Sequence, residues 1–306
     1  MPDEVQHSRA SMIRRQTLSS EVVLEGIGLH SGEPVRMRLL PAEASTGIVF
    51  VRTDAGGSRI PATLEHAGPS FYATVLRRGE HKVSTIEHLM AALYALQVDD
   101  LLVELDGPEL PILDGSARPF VEAILDVGRV ELGVERQYMT LIRPLVVSDQ
   151  EKRIAAYPSP EFRMTYAIDF DHPLLGYQEL SIRLWREGDF AEKLAAARTF
   201  TFEGEVAKLR DSGLALGGSL DNALVLGAEG LLNPELRFPD EFVRHKMLDL
   251  TGDLSLLGRP LCAHVVAYRA GHDLHARLAR RIWNSPDCWY LAPSATSPGR
   301  QAAAEG

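Results

Sequence analysis

The most informative segment of the chain runs from Glu241 to Leu257 and reads EFVRHKMLDLTGDLSLL. Its apolar side chains leave little of a helix for water; they are Phe242, Val243, Met247, Leu248 and Leu250. The H-x-x-x-D spacing puts His245 and Asp249 on one face of that helix, with Asp253 one turn further. A solvated face with an incidental His–Asp pair is the structural alternative, but buried imidazole and carboxylate groups need partners. A metal ion is one such partner.

Strand-like and helix-like runs on both sides of this helix predict the fold class. The first set has strands at Val22–Leu24, Val35–Leu40, Gly47–Val51, Thr74–Leu76 and Leu101–Leu105, and helices at Thr85–Leu96 and Ala117–Val127. The second set has strands at Met139–Val147, Arg153–Ala156, Phe162–Phe170, Ser181–Leu184 and Cys262–Tyr268, and helices at Phe190–Ala197, Glu203–Asp211, Glu241–Leu257 and His272–Trp283. Each half of the chain thus has a set of strands accompanied by helices. This order predicts an α+β protein of two similar-sized domains, each a β-sheet layered with helices.

A polar stretch near Glu131–Gln137 separates the two sets and predicts the domain boundary. We expect an N-terminal domain over residues 1–134 and a C-terminal domain over 135–292. Residues 1–10 are polar and predicted to be frayed. The tail 293–306 contains Pro, Gly and Ser without periodicity, which predicts disorder.

The composition excludes several classes of protein. Among 306 residues, Lys and Arg number 32 and Asp and Glu 42, and the resulting net charge of −10 repels nucleic acid and anionic lipid. The two cysteines, Cys262 and Cys288, lack C-x-x-C spacing, which excludes a disulfide framework and a cysteine-rich zinc site. The N-terminus has no apolar signal-peptide core, and no run of about 18 apolar residues is present. We expect a cytoplasmic monomer that neither binds nucleic acid nor spans a membrane.

Two further segments place a histidine beside groups suited to catalysis. In Ser84-Thr-Ile-Glu87-His88, the S-x-x-E pattern is typical of a capping box, in which Glu87 bonds back to the Ser84 N–H. That alternative says nothing about His88, which begins a helix with a largely apolar body. The second segment is Gly271-His272, directly after a predicted strand. A histidine after glycine is usually a loop or capping residue, so these residues alone leave the role of His272 open.

A resemblance to a known family runs through the chain. The UDP-3-O-acyl-N-acetylglucosamine deacetylases of bacterial lipid A synthesis have signature segments that resemble STIEHLMAAL, DEFVRHKMLDLTGDL and AYRAGH. Four more segments agree: EGIGLHSGEPV, PELPILDGSARPFV, ARTF and LALGGSLDNALVL. The match runs in order from Gln16 to Trp289. The resemblance implies a zinc-dependent amidohydrolase that performs an early committed step of lipid A synthesis, with its active site where the helix layers of two α+β domains meet.

The resemblance also implies a role for each candidate residue. One catalytic zinc ion per chain would keep an open position for water, as catalytic zinc requires. Glu87 would be the general base, His272 the general acid or oxyanion partner, and Asp253 the carboxylate that orients His272. The implied zinc ligands are His88, His245 and Asp249. The implied polar groups around the reacting carbonyl are Thr199 and Lys246.

The family substrate is a nucleotide sugar with an acyl chain, and the resemblance implies residues for each part. Arg143 and Arg269 would bind the diphosphate, and Phe162 would stack on the uracil. Phe200 would contact the substrate as well. A strand-end arginine and a core phenylalanine are the structural alternatives, and many relatives carry lysine in place of Arg143. Three departures from the family pattern touch the acyl passage and leave the preferred chain length open: Thr201 for glycine, Leu220 for phenylalanine and Ala215 for cysteine.

Two other functions remain open on the sequence. A zinc deacetylase for a different N-acyl sugar or a small amide would share the centre but would not need all three of Arg143, Phe162 and Arg269. A zinc-stabilised binding module without catalysis usually lacks the base or the acid, whereas Glu87 and His272 are both present.

Overall fold

The structure is a computed structural model that describes residues 13–69, 72–184, 186 and 188–293. Within this part of the chain there are nineteen strands and six α-helices, which confirms the α+β class. The predicted frayed N-terminus lies outside the described residues, and so does the predicted tail apart from Pro293.

The first half of the chain builds a five-stranded sheet in the order β2-β3-β8-β4-β5. Strand β3 is antiparallel to β2 and β8, and β4 runs parallel to β8. Along β3, buried Val35, Met37 and Leu39 alternate with more exposed residues, so one face of the sheet packs into the core. The elements are β1 (Arg14–Leu18), β2 (Val22–Ile27), β3 (Pro34–Pro41), β4 (Ile48–Arg52), β5 (Ser58–Pro61), β6 (Val75–Arg78), β7 (His81–Ser84), α1 (Glu87–Ala95), β8 (Leu101–Leu105), α2 (Arg118–Val127) and β9 (Arg129–Glu135).

The second half builds a seven-stranded sheet around one long strand, β18. That strand is antiparallel to β12 and parallel to β13 and β10. A smaller sheet joins β15, β16 and β17. The elements are β10 (Tyr138–Leu141), β11 (Leu145–Asp149), β12 (Lys152–Pro158), β13 (Arg163–Asp169), β14 (Tyr177–Arg183), α3 (Asp189–Lys193), β15 (Phe200–Phe202), α4 (Glu203–Asp211), β16 (Leu224–Gly227), β17 (Gly230–Leu231), α5 (Glu241–Ser255), β18 (Leu261–Tyr268), α6 (His272–Trp283) and β19 (Trp289–Ala292).

Helices α1 and α5 are buried along most of their length, which explains why neither shows a strong polar face. Helix α6 is amphipathic: Leu274, Leu278 and Ile282 point inward at helical spacing, and the helix packs on β11 and β12. Polar side chains carried on α1 and α5 are therefore held inside the molecule.

Several predicted elements differ from the structure; the strand predicted at Ser181–Leu184, for example, is β14 and begins at Tyr177. The strand predicted over Met139–Val147 is two strands, β10 and β11, because Pro144 interrupts it. The strand predicted at Thr74–Leu76 lies slightly later, as β6 in a hairpin with β7. The helix predicted over Phe190–Ala197 is only the short α3, which ends at Lys193; further along the chain, the Arg198 backbone N–H donates to Glu241.

The polar stretch predicted as the domain boundary is not an open linker. Most of it is strand β9, antiparallel to β1, with few buried residues on either face. Strands β1 to β9 pair among themselves, and β10 to β19 pair among themselves. On this ground we propose that the boundary lies at Arg136 and Gln137, just after β9.

Candidate metal centre

The two buried helices α1 and α5 meet at Gly252. A Cβ atom at this position would lie 2.0 Å from the Glu87 carbonyl oxygen, which is far inside van der Waals contact. The contact joins the start of α1, with Glu87 and His88, to the face of α5 that carries His245 and Asp249. Glycine therefore brings the polar residues of the two helices together.

Gly252→Ala is expected to lower the free energy of unfolding by about 1–3 kcal/mol, the usual cost of overpacking a core. The clash is with backbone, so no side-chain rotation relieves it, and the intrinsic helix preference of alanine over glycine, about 1 kcal/mol, does not offset it. Gly204→Ala on α4 is the matched control, because its Cβ would meet nothing within 4 Å. Urea unfolding of both variants measures the difference; equal stabilities would contradict the close contact.

His88, His245 and Asp249 form a buried group able to hold a metal ion. One ligand atom from each lies within 4.8 Å of the others. Asp249 Oδ1 is 3.7 Å from His88 Nε2 and 3.3 Å from His245 Nε2. The two imidazole rings meet edge to face with their centroids 5.0 Å apart. Two nitrogens and one carboxylate oxygen are a donor set that zinc takes in catalytic sites.

The hydrogen bonds of this group leave lone pairs facing one another. His245 Nδ1 is 3.0 Å from the Ala197 carbonyl oxygen and donates to it, so Nε2 is the unprotonated nitrogen of a neutral ring. Burial, against the opposing charge of Asp249, lowers the pKa of His245 to about 3 and keeps the ring neutral. Asp249 Oδ1 accepts no hydrogen bond from any described residue. A lone pair facing a carboxylate oxygen at 3.3 Å needs a cation between them, so these residues fit a metal ion.

Asp253, one turn further along α5, holds two imidazoles of α6. Its Oδ2 accepts from His272 Nδ1 at 2.7 Å and from His275 Nδ1 at 2.8 Å, while Thr74 donates to Oδ1. Burial acts to lower the pKa of His272, but the charge and hydrogen bond of Asp253 outweigh it and raise the pKa to about 9. His272 Nε2 is 4.0 Å from Asp249 Oδ2. A protonated imidazole therefore faces the metal-binding group.

Glu87 is buried at the start of α1. Its Oε2 accepts from the Thr74 backbone N–H at 2.9 Å. Burial raises the pKa of Glu87 to about 7; the charge of His272 opposes this and the charges of Asp249 and Asp253 add to it. The carboxyl is therefore poised to exchange a proton near neutral pH.

The capping-box interpretation of Glu87 is wrong. No side chain caps α1, and the Ser84 N–H donates to the Pro108 carbonyl at 3.0 Å. The Ser84 hydroxyl also donates to Pro108.

Lys246 and Phe200 lie beside the metal-binding group, and Thr199 is the residue before Phe200. Lys246 Nζ is 3.0 Å from Asp249 Oδ2 and 5.3 Å from the centre of the Phe200 ring. Thr199 and Phe200 open onto a cavity of about 770 Å³ with a largely apolar lining. Its walls include the three departure positions Thr201, Ala215 and Leu220.

A family model for the UDP-3-O-acyl N-acetylglycosamine deacetylases matches residues 15–284. The chain belongs to this family. A deacetylase of Syntrophotalea carbinolica is 47% identical over 287 residues, covering 92% of each chain. A deacetylase of Myxococcus xanthus is 45% identical, over 94% of this chain and 91% of its own length. A third, of Thermosynechococcus vestitus, is 46% identical, over 88% of this chain and 93% of its own length. All three are named UDP-3-O-acyl-N-acetylglucosamine deacetylase.

The structure does not bring together the three nucleotide-binding residues that the family resemblance implied. The Phe162 ring is buried against Tyr94, with centroids 5.5 Å apart. Its neighbour Arg163 pairs with His264, five residues before Arg269, or about 17 Å along the strands. The remaining member, Arg143, is exposed and pairs with the equally exposed Asp287 at 3.1 Å. The nucleotide-binding set stays a prediction.

Two side chains of the site were missed by the sequence reasoning. Thr74 contacts both Asp253 and Glu87, and no local pattern marks it. His275 shares Asp253 with His272 and also lies 3.0 Å from the Tyr166 hydroxyl. The spacing H-x-x-H at positions 272 and 275 places both rings on one helical face and was the available signal.

Among the described residues, no helix combines the length and the apolar character needed to cross a membrane.

Proposed function

We propose that this chain hydrolyses the acetamide of UDP-3-O-acyl-N-acetylglucosamine, releasing acetate and the free amine, an early step of lipid A synthesis. The observation that carries the proposal is the junction of α1, α5 and α6, where a metal-binding group, a buried carboxyl and a protonated imidazole meet. Membership of the family names the substrate class.

His88, His245 and Asp249 are the proposed ligands of one Zn²⁺ ion per chain. When bound, zinc would act as a Lewis acid that lowers the pKa of water, so that water becomes a nucleophile able to attack an amide near neutral pH. The ligands are oriented in turn by their own partners, as the Ala197 carbonyl does for His245.

Glu87 acts as the general base. With a pKa near 7 it is ionised in an adequate fraction at neutral pH and can take the proton of the attacking water. The Thr74 N–H holds Oε2, which leaves Oε1 for that proton.

His272 acts as the general acid toward the departing amine. Its Nδ1–H is held by Asp253, so the proton it gives comes from Nε2, on the side of the metal-binding group. Lys246 and Thr199 stabilise the oxygen that becomes negative when the amide is attacked. The fold holds their ammonium and hydroxyl groups in place, so these donors do not have to move as the charge develops.

The remaining assignments concern the rest of the substrate. The apolar cavity beside Thr199 and Phe200 accepts the acyl chain, and Phe200 forms part of its entrance. Arg143, Arg269 and Phe162 are the proposed nucleotide contacts, which requires Phe162 to leave its packed position on Tyr94 and the nucleotide to span the distance of about 17 Å between Phe162 and Arg269. We propose a monomer that acts in the cytoplasm.

The direct test is incubation of the purified protein with UDP-3-O-acyl-N-acetylglucosamine of several acyl lengths, with loss of the acetyl group followed by mass spectrometry. Deacetylation is the expected result. A second arm uses N-acetylglucosamine derivatives without the nucleotide. Turnover of these alone would favour the alternative, a deacetylase for a different N-acyl sugar; no turnover of any substrate would refute the proposal.

His272→Ala is expected to lower kcat by about 10²-fold or more, the usual scale for a general acid. The proton donor is lost, while the three ligands keep their places because His272 is not one of them. Steady-state kinetics and elemental analysis measure the two effects. Loss of zinc together with activity would show that His272 is a ligand and not an acid.

The pH profile of kcat is expected to be bell-shaped. Activity requires ionised Glu87, so it is lost as pH falls through about 7, or lower when a cation beside the carboxyl favours its charge. It also requires protonated His272, so it is lost as pH rises through about 9. Asp253→Asn removes the charge that favours the imidazolium and should move the basic limb to lower pH. A basic limb that stays in place in this variant contradicts the assignment.

A further inference from the structure

Arg198 and Glu241 form a buried ion pair one turn of α5 before His245. Glu241 Oε1 accepts from Arg198 Nε at 2.8 Å and from the Arg198 backbone N–H at 3.0 Å. Oε2 accepts from Arg198 Nη2 at 3.2 Å and from the Arg237 backbone N–H at 2.6 Å. The Glu241 side chain is fully buried, and that of Arg198 is 10% exposed. The first turn of α5 is thus tied to the backbone of a segment far away in sequence.

The residue before Arg198 touches the metal-binding group directly. The Ala197 carbonyl accepts from His245 Nδ1 at 3.0 Å, and both groups are buried. Ala197 lies between α3 and β15, where no helix or strand ladder holds its carbonyl in place. The Arg198 N–H belongs to the same peptide group as the Ala197 carbonyl, so the hydrogen bond that it donates to Glu241 Oε1 supplies that support.

Two hydrogen-bonded contacts and two short stretches of backbone connect these four residues in a closed loop. Arg198 donates hydrogen bonds to Glu241, and His245 donates one to the carbonyl of Ala197, the residue before Arg198. His245 and Glu241 lie four residues apart on the same helix, α5. We propose that Arg198 and Glu241 are positioning residues that hold the Ala197 carbonyl against His245 and so set the tautomer and direction of its ring. The inference rests on the proposed metal role of His245. Groups that orient a ligating histidine change metal affinity by about 10- to 100-fold when they are removed.

Arg198→Lys is the first test, because lysine keeps the charge but loses the planar fork that binds both carboxylate oxygens. The dissociation constant for Zn²⁺, measured by competition with a chromogenic chelator, is expected to rise by about 10- to 100-fold. Nitrogen-15 NMR of the metal-free protein is expected to show His245 as a single Nδ1–H tautomer in the parent chain and as a mixture in the variant.

Arg15→Lys is the matched control. Arg15 also binds a fully buried carboxylate through two nitrogens, at 2.7 Å to each oxygen of Asp100, and its side chain is 14% exposed. It lies on β1 and contacts none of the proposed ligands. This variant should lose stability in thermal unfolding as Arg198→Lys does, with unchanged zinc affinity and an unchanged His245 tautomer.

Folded Arg198→Lys with the parent zinc affinity and the parent tautomer would overturn the proposal, whatever its melting temperature. If that variant does not fold, Glu241→Gln replaces it. Glutamine has the same shape, but its NH₂ group cannot accept a hydrogen bond, so at least one of the four donors around Glu241 loses its acceptor. A parent chain that binds no zinc refutes the proposed metal site instead, and the tautomer measurement on the metal-free protein still decides the positioning role.

Discussion

Replacing Glu87 by glutamine is expected to lower kcat by about 10²- to 10⁴-fold, the range for loss of a general base. Glutamine fits the same space and still offers an oxygen to the Thr74 N–H, so the local structure is kept. It cannot accept the proton of the attacking water. Steady-state kinetics at the pH optimum measures the loss.

Stability and metal content separate this effect from damage to the fold. Burial disfavours the charged form of Glu87, so a neutral amide should leave the melting temperature unchanged or raise it. Zinc should remain at one ion per chain because Glu87 is not a proposed ligand. Near-normal turnover in Glu87→Gln would place the base elsewhere.

Dialysis against a chelator is expected to reduce turnover below detection, and one equivalent of Zn²⁺ per chain should restore it. Without a cation, the Nε2 lone pair of His245 faces Asp249 Oδ1, to which none of the described residues donates a hydrogen bond. Mg²⁺ should not restore activity, because it prefers octahedral oxygen ligands and the group offers two nitrogens. Circular dichroism checks that the metal-free protein stays folded. Full activity in a verified metal-free sample would end the metalloenzyme hypothesis.

Local patterns predicted the elements whose geometry depends on near neighbours in sequence. The helix α4 and the strand β8 have the bounds expected from their residues, and α5 ends two residues earlier than predicted. The pair His245 and Asp249 faces one way because four residues make about one helical turn, whatever the helix packs against.

Local patterns predicted the wrong local structure where a distant segment contacts the backbone. The S-x-x-E pattern predicted a cap, yet the Ser84 N–H is taken by Pro108, from the loop after β8. The helix predicted over Phe190–Ala197 ends at Lys193, and the segment after it is bound through the Arg198 backbone N–H by Glu241, 43 residues away in sequence. Neither competitor can be seen in a short window of sequence.

The sequence by itself determined the α+β class and the family, and it supplied the residues for which we propose catalytic and metal-binding roles: His88, His245, Asp249, Glu87 and His272. Only the tertiary structure decided what surrounds them. Thr74 reaches Asp253 across 179 residues of chain, and the Ala197 carbonyl reaches His245 across 48. The backbone geometry of one helix sets contacts at i and i+4, but contacts of long sequence separation exist only after the helices and sheets have packed, because burial of apolar surface selects that arrangement. Packing therefore decided which donor each carboxylate accepts from, and with it the pKa values of Glu87 and His272 on which the proposed chemistry depends.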